Sequence, residues 1–443
     1  MDKELFEKMP IPKAYMKMAL PVMFSNVLMI VYNMVDMYFI GRTGNTDLVA
    51  GVSLCGPVFT ALIACGDIFG LGTGSVISRL FGAAKYDDGK RLSVFAAIGS
   101  FLFGIAAAAL LLIGKNPLLS LLGANADTLP YAGSYFTWIA VGAPFIIFSL
   151  VPTNLLRTEG KAKDAMIGSV LGSIANMILD PIFIFTFGLG AAGAAIATVL
   201  GNILADIFYV FVITKKAQNL AVWMKGFFMT GAELASILRI GIPSSITNIM
   251  QSIGMMLLNR FLLPYGNDKI AAMGIVSRVV MLVVMVMVSF SFGGQPLYGY
   301  LYGGKKFERM RSVLRFAYLL VCGLGTALAL LFILLAPQMI RLMMNDAQII
   351  SIGTPMLRAT LCGMPFIAIV MVTTCVFQST GKASGAFALS AGRQGYIYAV
   401  VLVAASALFG YTGILFAQPV ADVLTAGLAI VLRRTLLDRE IAS

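Results

Sequence analysis

Histidine is absent from all 443 residues of this chain. That excludes imidazole metal sites, histidine general bases and histidine proton relays, so any proton chemistry falls to carboxylates, tyrosines or water. Charge is scarce too. Asp, Glu, Lys and Arg make up 12% of the residues against 59% hydrophobic, a balance outside the range of soluble globular domains. The five cysteines, Cys55, Cys65, Cys322, Cys362 and Cys375, fall in apolar stretches without metal-ligand spacing, and are expected to be small packing residues. The amino terminus is charged and polar up to Lys13, and no cleavable signal peptide is expected.

What the chain has in abundance is apolar length. Twelve spans are expected near 14–40, 48–80, 92–114, 130–156, 164–187, 190–214, 236–263, 270–302, 311–336, 352–378, 383–409 and 411–435, each able to cross about 30 Å of hydrocarbon. The fold class implied is an all-α integral membrane protein. Most Lys and Arg fall at the two ends and in alternate loops, among them Lys85, Lys90, Arg91, Lys161, Lys163, Lys215, Lys216, Lys305, Lys306, Arg433 and Arg434. The positive-inside rule therefore places both termini in the cytoplasm. The net charge of +12 is accounted for by this asymmetry facing anionic headgroups. Membrane lipid is the partner it calls for, and no nucleic acid is expected.

The chain is also written twice. Offset by 221 or 222 residues, Pro21 falls on Pro243, Asn26 on Asn248, Gly44-Asn45 on Gly266-Asn267, and "LFGAAKY" on "LYGGKKF". "GAPF" at 142–145 likewise meets "GMPF" at 363–366. Six spans per repeat return each half to its starting side, so the halves are expected to be parallel repeats, 1–220 and 221–443. Near the join, Trp223, Lys225, Phe227 and Phe228 suggest a segment lying in the membrane interface.

Two aspartates sit where lipid is expected: Asp36 in the first span and Asp180 in the fifth. A carboxylate at the bilayer centre costs roughly 2.5 to 3.5 kcal/mol on insertion scales, so such residues mark polar cavities and ion paths. Helical spacing stacks Tyr32 and Asn33 against Asp36, and sets Ser169, Ser173, Asn176 and Asp180 in one polar stripe. The bland alternative is a structural hydrogen bond between neighbouring helices. The acids have no counterpart in the second half, where Leu258 takes the place of Asp36. That half offers instead Met250, Met255, Met256, Met281, Met285 and Met287 with Phe290, Phe292 and Tyr298. Such side chains adapt to varied apolar shapes and attract organic cations, so they are candidates to line a substrate pocket, against the alternative of plain helix packing or lipid contact. Arg393 and Asp422, near the middle of adjacent spans, read as a buried structural ion pair, with substrate contact as the alternative. Asp206 is expected to reach headgroups or Asn202, and Asp67 to make a local polar contact.

The stretches "NMVDMYFIGRTGN", "LRTEGKAKDA", "NMILDPIFIF", "GLGAAGAAIATVLGN", "GIPSSITNIM" and "FQSTGKASGA" give the whole chain a resemblance to multidrug and toxic compound extrusion (MATE) transporters, of the DinF-like bacterial branch. The resemblance implies twelve helices in two six-helix lobes forming a V. It also implies secondary active export of small amphipathic, mostly cationic compounds against inward protons or sodium ions. The setting implied is the inner membrane of a bacterium, with the protein a monomer and needing no cofactor beyond the transported H+ or Na+. Carried over residue by residue, the cation site would use Asp36, Asn176, Asp180 and Thr198, with Tyr32 and Tyr135 in its hydrogen-bond network, and Pro21 would mark a bend of the first helix.

Two rival readings remain open on sequence. A flippase for lipid-linked sugars shares the architecture but would be expected to carry a basic cavity. An intramembrane aspartyl protease would need two facing aspartates, and "ACGD" at 64–67 only partly matches the Gly-x-Gly-Asp pattern of that group.

Overall fold

The computed structural model describes residues 2–224 and 230–442, and among them there is no strand. In chain order the helices are α1 (Ile11–Gly41), α2 (Thr46–Leu54), α3 (Gly56–Gly82), α4 (Tyr86–Ile113), α5 (Lys115–Leu121), α6 (Leu129–Thr158), α7 (Ala162–Pro181), α8 (Gly190–Lys216), α9 (Gly231–Leu262), α10 (Asn267–Gly293), α11 (Gln295–Gly303), α12 (Phe307–Leu334), α13 (Ala336–Met343), α14 (Ala347–Leu361), α15 (Met364–Thr380), α16 (Ala383–Ala391), α17 (Ile397–Arg433) and α18 (Arg439–Ala442). Helix satisfies every backbone polar group within the segment, which hydrocarbon surroundings demand. Where a span breaks, the new helix restarts with proline at its second residue. Pro57 does this in α3, Pro296 in α11 and Pro365 in α15. A proline there gives up an N–H that would have had no helical partner in any case.

Among the described residues nine helical stretches are long and apolar enough to cross a membrane. The bent pair α14 and α15, at 47°, makes a tenth. The stretch Ala383–Ile441 counts once there with 59 residues, but at 1.5 Å per residue it would run to roughly 90 Å, far beyond one crossing. Its chain changes direction at Gly410, where φ is 56° and ψ −131°. Only glycine tolerates that conformation easily. Taking that stretch as two spans and adding α9 gives the expected twelve.

The repeat is visible in the elements. Helices α4 and α12 each have 28 residues, and each is followed at once by a short helix, α5 or α13. Ala84 and Lys305, in the matched loops before them, are the two non-glycine residues with positive φ among those described, at 60° and 53°. The same strained turn thus recurs in both copies.

The chain forms two compact units, Met1–Met9 with Phe24–Gly241 and Pro10–Met23 with Ile242–Ser443. Each long first helix of a repeat is therefore divided. The first turns of α1 belong to unit 2 and the rest to unit 1, whereas α9 up to Gly241 belongs to unit 1 and its remainder to unit 2. Pro21 and Pro243 lie within two or three residues of those changes of allegiance. Unit 1 has a core of Ile40, Val52, Cys55, Phe136, Ile139, Ile147 and Ile184, among others. In unit 2 the hydroxyl of Tyr15 donates to the carbonyl of Phe290 at 2.8 Å and lies 3.0 Å from that of Tyr298. Trp223 is exposed; the remainder of the expected interfacial segment, Lys225, Phe227 and Phe228, lies outside the described residues.

Unit 2 also holds Arg393 and Asp422 together. Arg393 stands on a π-helical turn, Gly392–Tyr396, and its Nε lies 3.0 Å from Oδ1 of Asp422. Gln418 donates to the same oxygen at 3.1 Å. Asp422 is fully buried, so stranding its charge is costly. Arg393→Met or Asp422→Leu alone is expected to destabilise by about 3 to 5 kcal/mol, with much of the loss recovered when both are made together. Thermal unfolding of the purified protein reads this directly, and single variants that melt like wild type would contradict it.

Candidate functional site

Asp180 is the penultimate residue of α7, followed by Pro181 and a π-helical turn, Ile182–Thr186. The turn is closed by the N–H of Phe187 on the carbonyl of Ile182 at 2.9 Å, and π-turns of this kind gather at functional positions. Helix α8 is pressed against it, since a Cβ on Gly193 would meet the backbone of Phe183 at 2.7 Å. One level along, a Cβ on Gly201 would meet the Gly172 carbonyl at 2.7 Å and the Cβ of Asn176 at 3.2 Å. These small residues bring α7 and α8 together. Asn176 reaches across the seam they form.

The amide of Asn176 donates to Oγ1 of Thr198 at 3.3 Å and to Oδ1 of Asp180 at 3.4 Å. The Thr198 hydroxyl spends its own hydrogen on the Ala194 carbonyl at 3.0 Å and so presents a lone pair to Asn176. From α1, Asp36 comes within hydrogen-bonding reach of Asp180. Tyr32 and, from α6, Tyr135 lie within electrostatic range of both carboxylates. Asp180, Asn176, Thr198 and Tyr135 are buried and Asp36 is half-buried. With both acids ionised, Oδ1 of Asp36, Oδ2 of Asp180 and Oδ1 of Asn176 meet no donor among the described residues. A proton shared by the two acids, or a cation bound by these oxygens, would satisfy what the protein leaves open.

Six of the residues singled out from sequence thus meet in unit 1: Asp36, Tyr32, Tyr135, Asn176, Asp180 and Thr198. Two do not join them. Asn33 is exposed, and Ser173 is half-buried with no hydrogen bond to the pair among the described residues. Pro21 lies in the part of α1 assigned to unit 2. The methionines divide by environment. Met255, Met256 and Met281 are exposed and Met250 and Met285 half-buried, whereas Met287, Phe290 and Tyr298 are interior. Met287 packs on Gly325.

Asp206 departs from the expectation that it reaches headgroups or Asn202. It is buried and accepts a hydrogen bond from Ser149, while the Asn202 amide goes to the Thr198 carbonyl at 2.9 Å. Asp67 is half-buried and faces Arg157. Sequence reasoning passed over Ser149, Arg157 and Tyr209. For Tyr209 the signal was available in the steps of four, four and three from Thr198 through Asn202 and Asp206 to Tyr209, the pattern used to find the stripe on the preceding span.

The family model described as MatE matches residues 21–182 and 243–402, one stretch in each repeat. The multidrug export protein MepA of Staphylococcus saprophyticus is 30% identical over 440 residues, covering 99% of this chain and 97% of its own. MepA of Staphylococcus aureus strain N315 is 31% identical over the same length. Among solved structures, MATE in complex with MaD3S superposes with a TM-score of 0.92 at 26% identity, over 99% of this chain and 98% of the other. A MOP superfamily transporter from Pyrococcus furiosus, reported with a binding pocket of reversed polarity, does so at 0.90 and 26%, over 99% and 97%.

The α7–α8 seam is the support most sensitive to volume. Gly201→Val is expected to cost about 1 to 3 kcal/mol of stability by overpacking, and Gly201→Ala less. Melting temperatures of the purified variants test this; a valine variant as stable as wild type would show the two helices to be set further apart.

Proposed function

Because the chain belongs to the MatE family, whose members are multi-pass membrane transporters and not enzymes, we propose that it is a secondary active multidrug exporter. It sends small amphipathic, mostly cationic organic compounds out of a bacterial cell against protons or sodium ions moving in. The lobe 1–220 carries the cation site, Asp36, Asn176, Asp180 and Thr198 with Tyr32 and Tyr135. The lobe 221–443 contributes substrate contact through its accessible methionines, Met250, Met255, Met256, Met281 and Met285. The protein works as a monomer with both termini in the cytoplasm.

One observation carries this reading: two carboxylates from different helices stand within hydrogen-bonding reach inside an apolar bundle, with an amide and a hydroxyl beside them. A merely structural link between α1 and α7 needs one acid and one donor. A second acid adds charge that must be neutralised, and that is useful only if the neutralising ion comes and goes. The acids also suit cations better than the pyrophosphate of a lipid-linked sugar.

The energy available is adequate. Exchange of one proton for one organic monocation is electroneutral, so each pH unit supplies about 1.4 kcal/mol and sustains about a tenfold drug gradient. A second cation taken up by the pair would add about 2.3 kcal/mol per 100 mV. Coupling requires that the ion stabilise one access state over the other. Neutralising Asp36 and Asp180 removes their repulsion, and α1 responds near Pro21, where the helix lacks a backbone N–H. Outward drug release follows.

Asp36→Asn and Asp180→Asn are each expected to abolish gradient-driven export at matched expression, since an amide neither cycles a proton nor balances charge. Efflux of a fluorescent lipophilic cation, with the pH and sodium gradients collapsed separately, measures this, and wild-type efflux in both variants would remove the site. Leu258→Ala, at the counterpart of Asp36, is expected to alter drug preference modestly without changing the driving ion. Loss of ion dependence with normal drug binding in that variant would contradict the division between lobes.

A further inference from the structure

Unit 1 contains a second buried polar cluster, displaced from the aspartate pair toward the Lys215 end of α8. Asp206 is 6% exposed. Its Oδ1 accepts from Ser149, while its Oδ2 meets no donor among the described residues. One turn on, Tyr209 lies within electrostatic range of Asp206, places its hydroxyl 2.9 Å from that of Ser169, and donates to the Ala165 carbonyl at 3.2 Å. Thr153 is in hydrogen-bonding reach of the same hydroxyl. Arg157 lies within electrostatic range of both Tyr209 and Asp67, and its Nε is buried with no acceptor among the described residues. Four helices, α3, α6, α7 and α8, supply these groups.

Two polar stripes join this cluster to the first. On α8 they are Thr198, Asn202, Asp206 and Tyr209; on α7, Asp180, Asn176, Ser173 and Ser169. Between the two clusters the helices approach closely, at Gly172 against Gly201 and at Gly168 against the Tyr209 ring. From Thr198 to Asp206 the rise is roughly 12 Å, with Asn202 and Ser173 at the level between. The Arg157 guanidinium makes the lower cluster a poor seat for a metal cation. A proton on Asp206 gives a neutral acid instead, one whose Oδ2 gains a hydrogen to donate.

We propose that Asp206 is a second protonation site, through which a proton leaving the Asp36–Asp180 pair passes down the inside of the first lobe to the cytoplasm, with Tyr209 and Ser169 as its hydroxyl partners. The proposal rests on the cation-site reading above. Asp206 Oδ2 takes the proton and becomes a carboxylic acid, keeping the Ser149 hydrogen bond on Oδ1. It returns to carboxylate when the proton passes on toward Lys215 and Lys216, and no electrons are exchanged. The alternative is that Ser149 and Asp206 simply tie α6 to α8.

Asp206→Asn separates the two. Its side-chain oxygen still accepts from Ser149, so a tie is preserved, but the amide cannot cycle a proton. In proteoliposomes with an entrapped pH dye and ethidium as the transported cation, the variant is expected to keep wild-type melting and ethidium binding. Its drug-coupled proton flux should fall roughly a hundredfold, as for a lost general acid–base, and Asp206→Glu should restore most of it. Should Asp206→Asn fail to fold, Tyr209→Phe, lacking one hydroxyl, is expected to slow the flux several-fold. Wild-type flux in whichever of these variants folds overturns the proposal, as does a wild-type protein driven by sodium alone. Asp36→Asn run alongside keeps the two readings apart: an inactive Asp36→Asn beside a normal Asp206→Asn sinks the relay only, whereas normal flux in both sinks the cation site as well.

Discussion

A carboxylate oxygen inside an apolar bundle must find a donor or a cation, and the architecture of unit 1 can be followed outward from that requirement. Asp36 and Asp180 arrive from α1 and α7, and neither helix alone brings enough donors to satisfy its acid. Asn176 supplies one amide to Asp180, and that amide is positioned because Gly172 and Gly201 let two helix backbones approach closely. The π-turn after Pro181, braced by Gly193, fixes the end of α7 that carries Asp180. Even so, three buried oxygens lack donors among the described residues. Leaving a buried polar atom unpaired costs about 1 to 3 kcal/mol, a cost these oxygens carry unless a proton or cation meets them.

The second repeat meets the same constraint differently. At the levels where unit 1 places its acids, unit 2 has apolar and aromatic residues, and Asp422, the one fully buried carboxylate among its described residues, carries its own guanidinium. An acid neutralised by a covalently attached partner has no use for an external ion. The two copies of one helical plan, alike down to the strained turn at Ala84 and Lys305, thus differ in whether their deep acids have a guanidinium bonded to them. The proposed division of coupling and substrate contact between the lobes rests on that difference.

Much of this was legible in the sequence, for reasons that can be named. Apolar length gives the spans, and the 3.6-residue period gives the stripe on α7, so Asp180 and Asn176 could be placed on one face without coordinates. The meeting of that stripe with Asp36 and Tyr135 could not be read from spacing, because it depends on which helices pack; only the family resemblance anticipated it. Asp206 was misplaced for a related reason. Its distance from the end of the span suggested headgroups, whereas burial is decided by Ser149 and Tyr209, one of them some 57 positions away in sequence. The division of α1 and α9 between units likewise reflects packing that no single helix records.

That division bears on the proposed coupling of a proton on a side chain to the position of a helix. Asp36 sits in the portion of α1 that belongs to unit 1, while the turns before Phe24 belong to unit 2. In the proposed mechanism, a change in charge at Asp36 acts on a helix whose first turns are counted with unit 2. The residue near the junction, Pro21, is one whose missing N–H weakens the helix locally. A continuous, fully bonded helix would pass the change along as a rigid shift. A helix weakened at the junction can instead hold two arrangements with each end kept in its own core, and two arrangements of unequal cation affinity are what coupling requires.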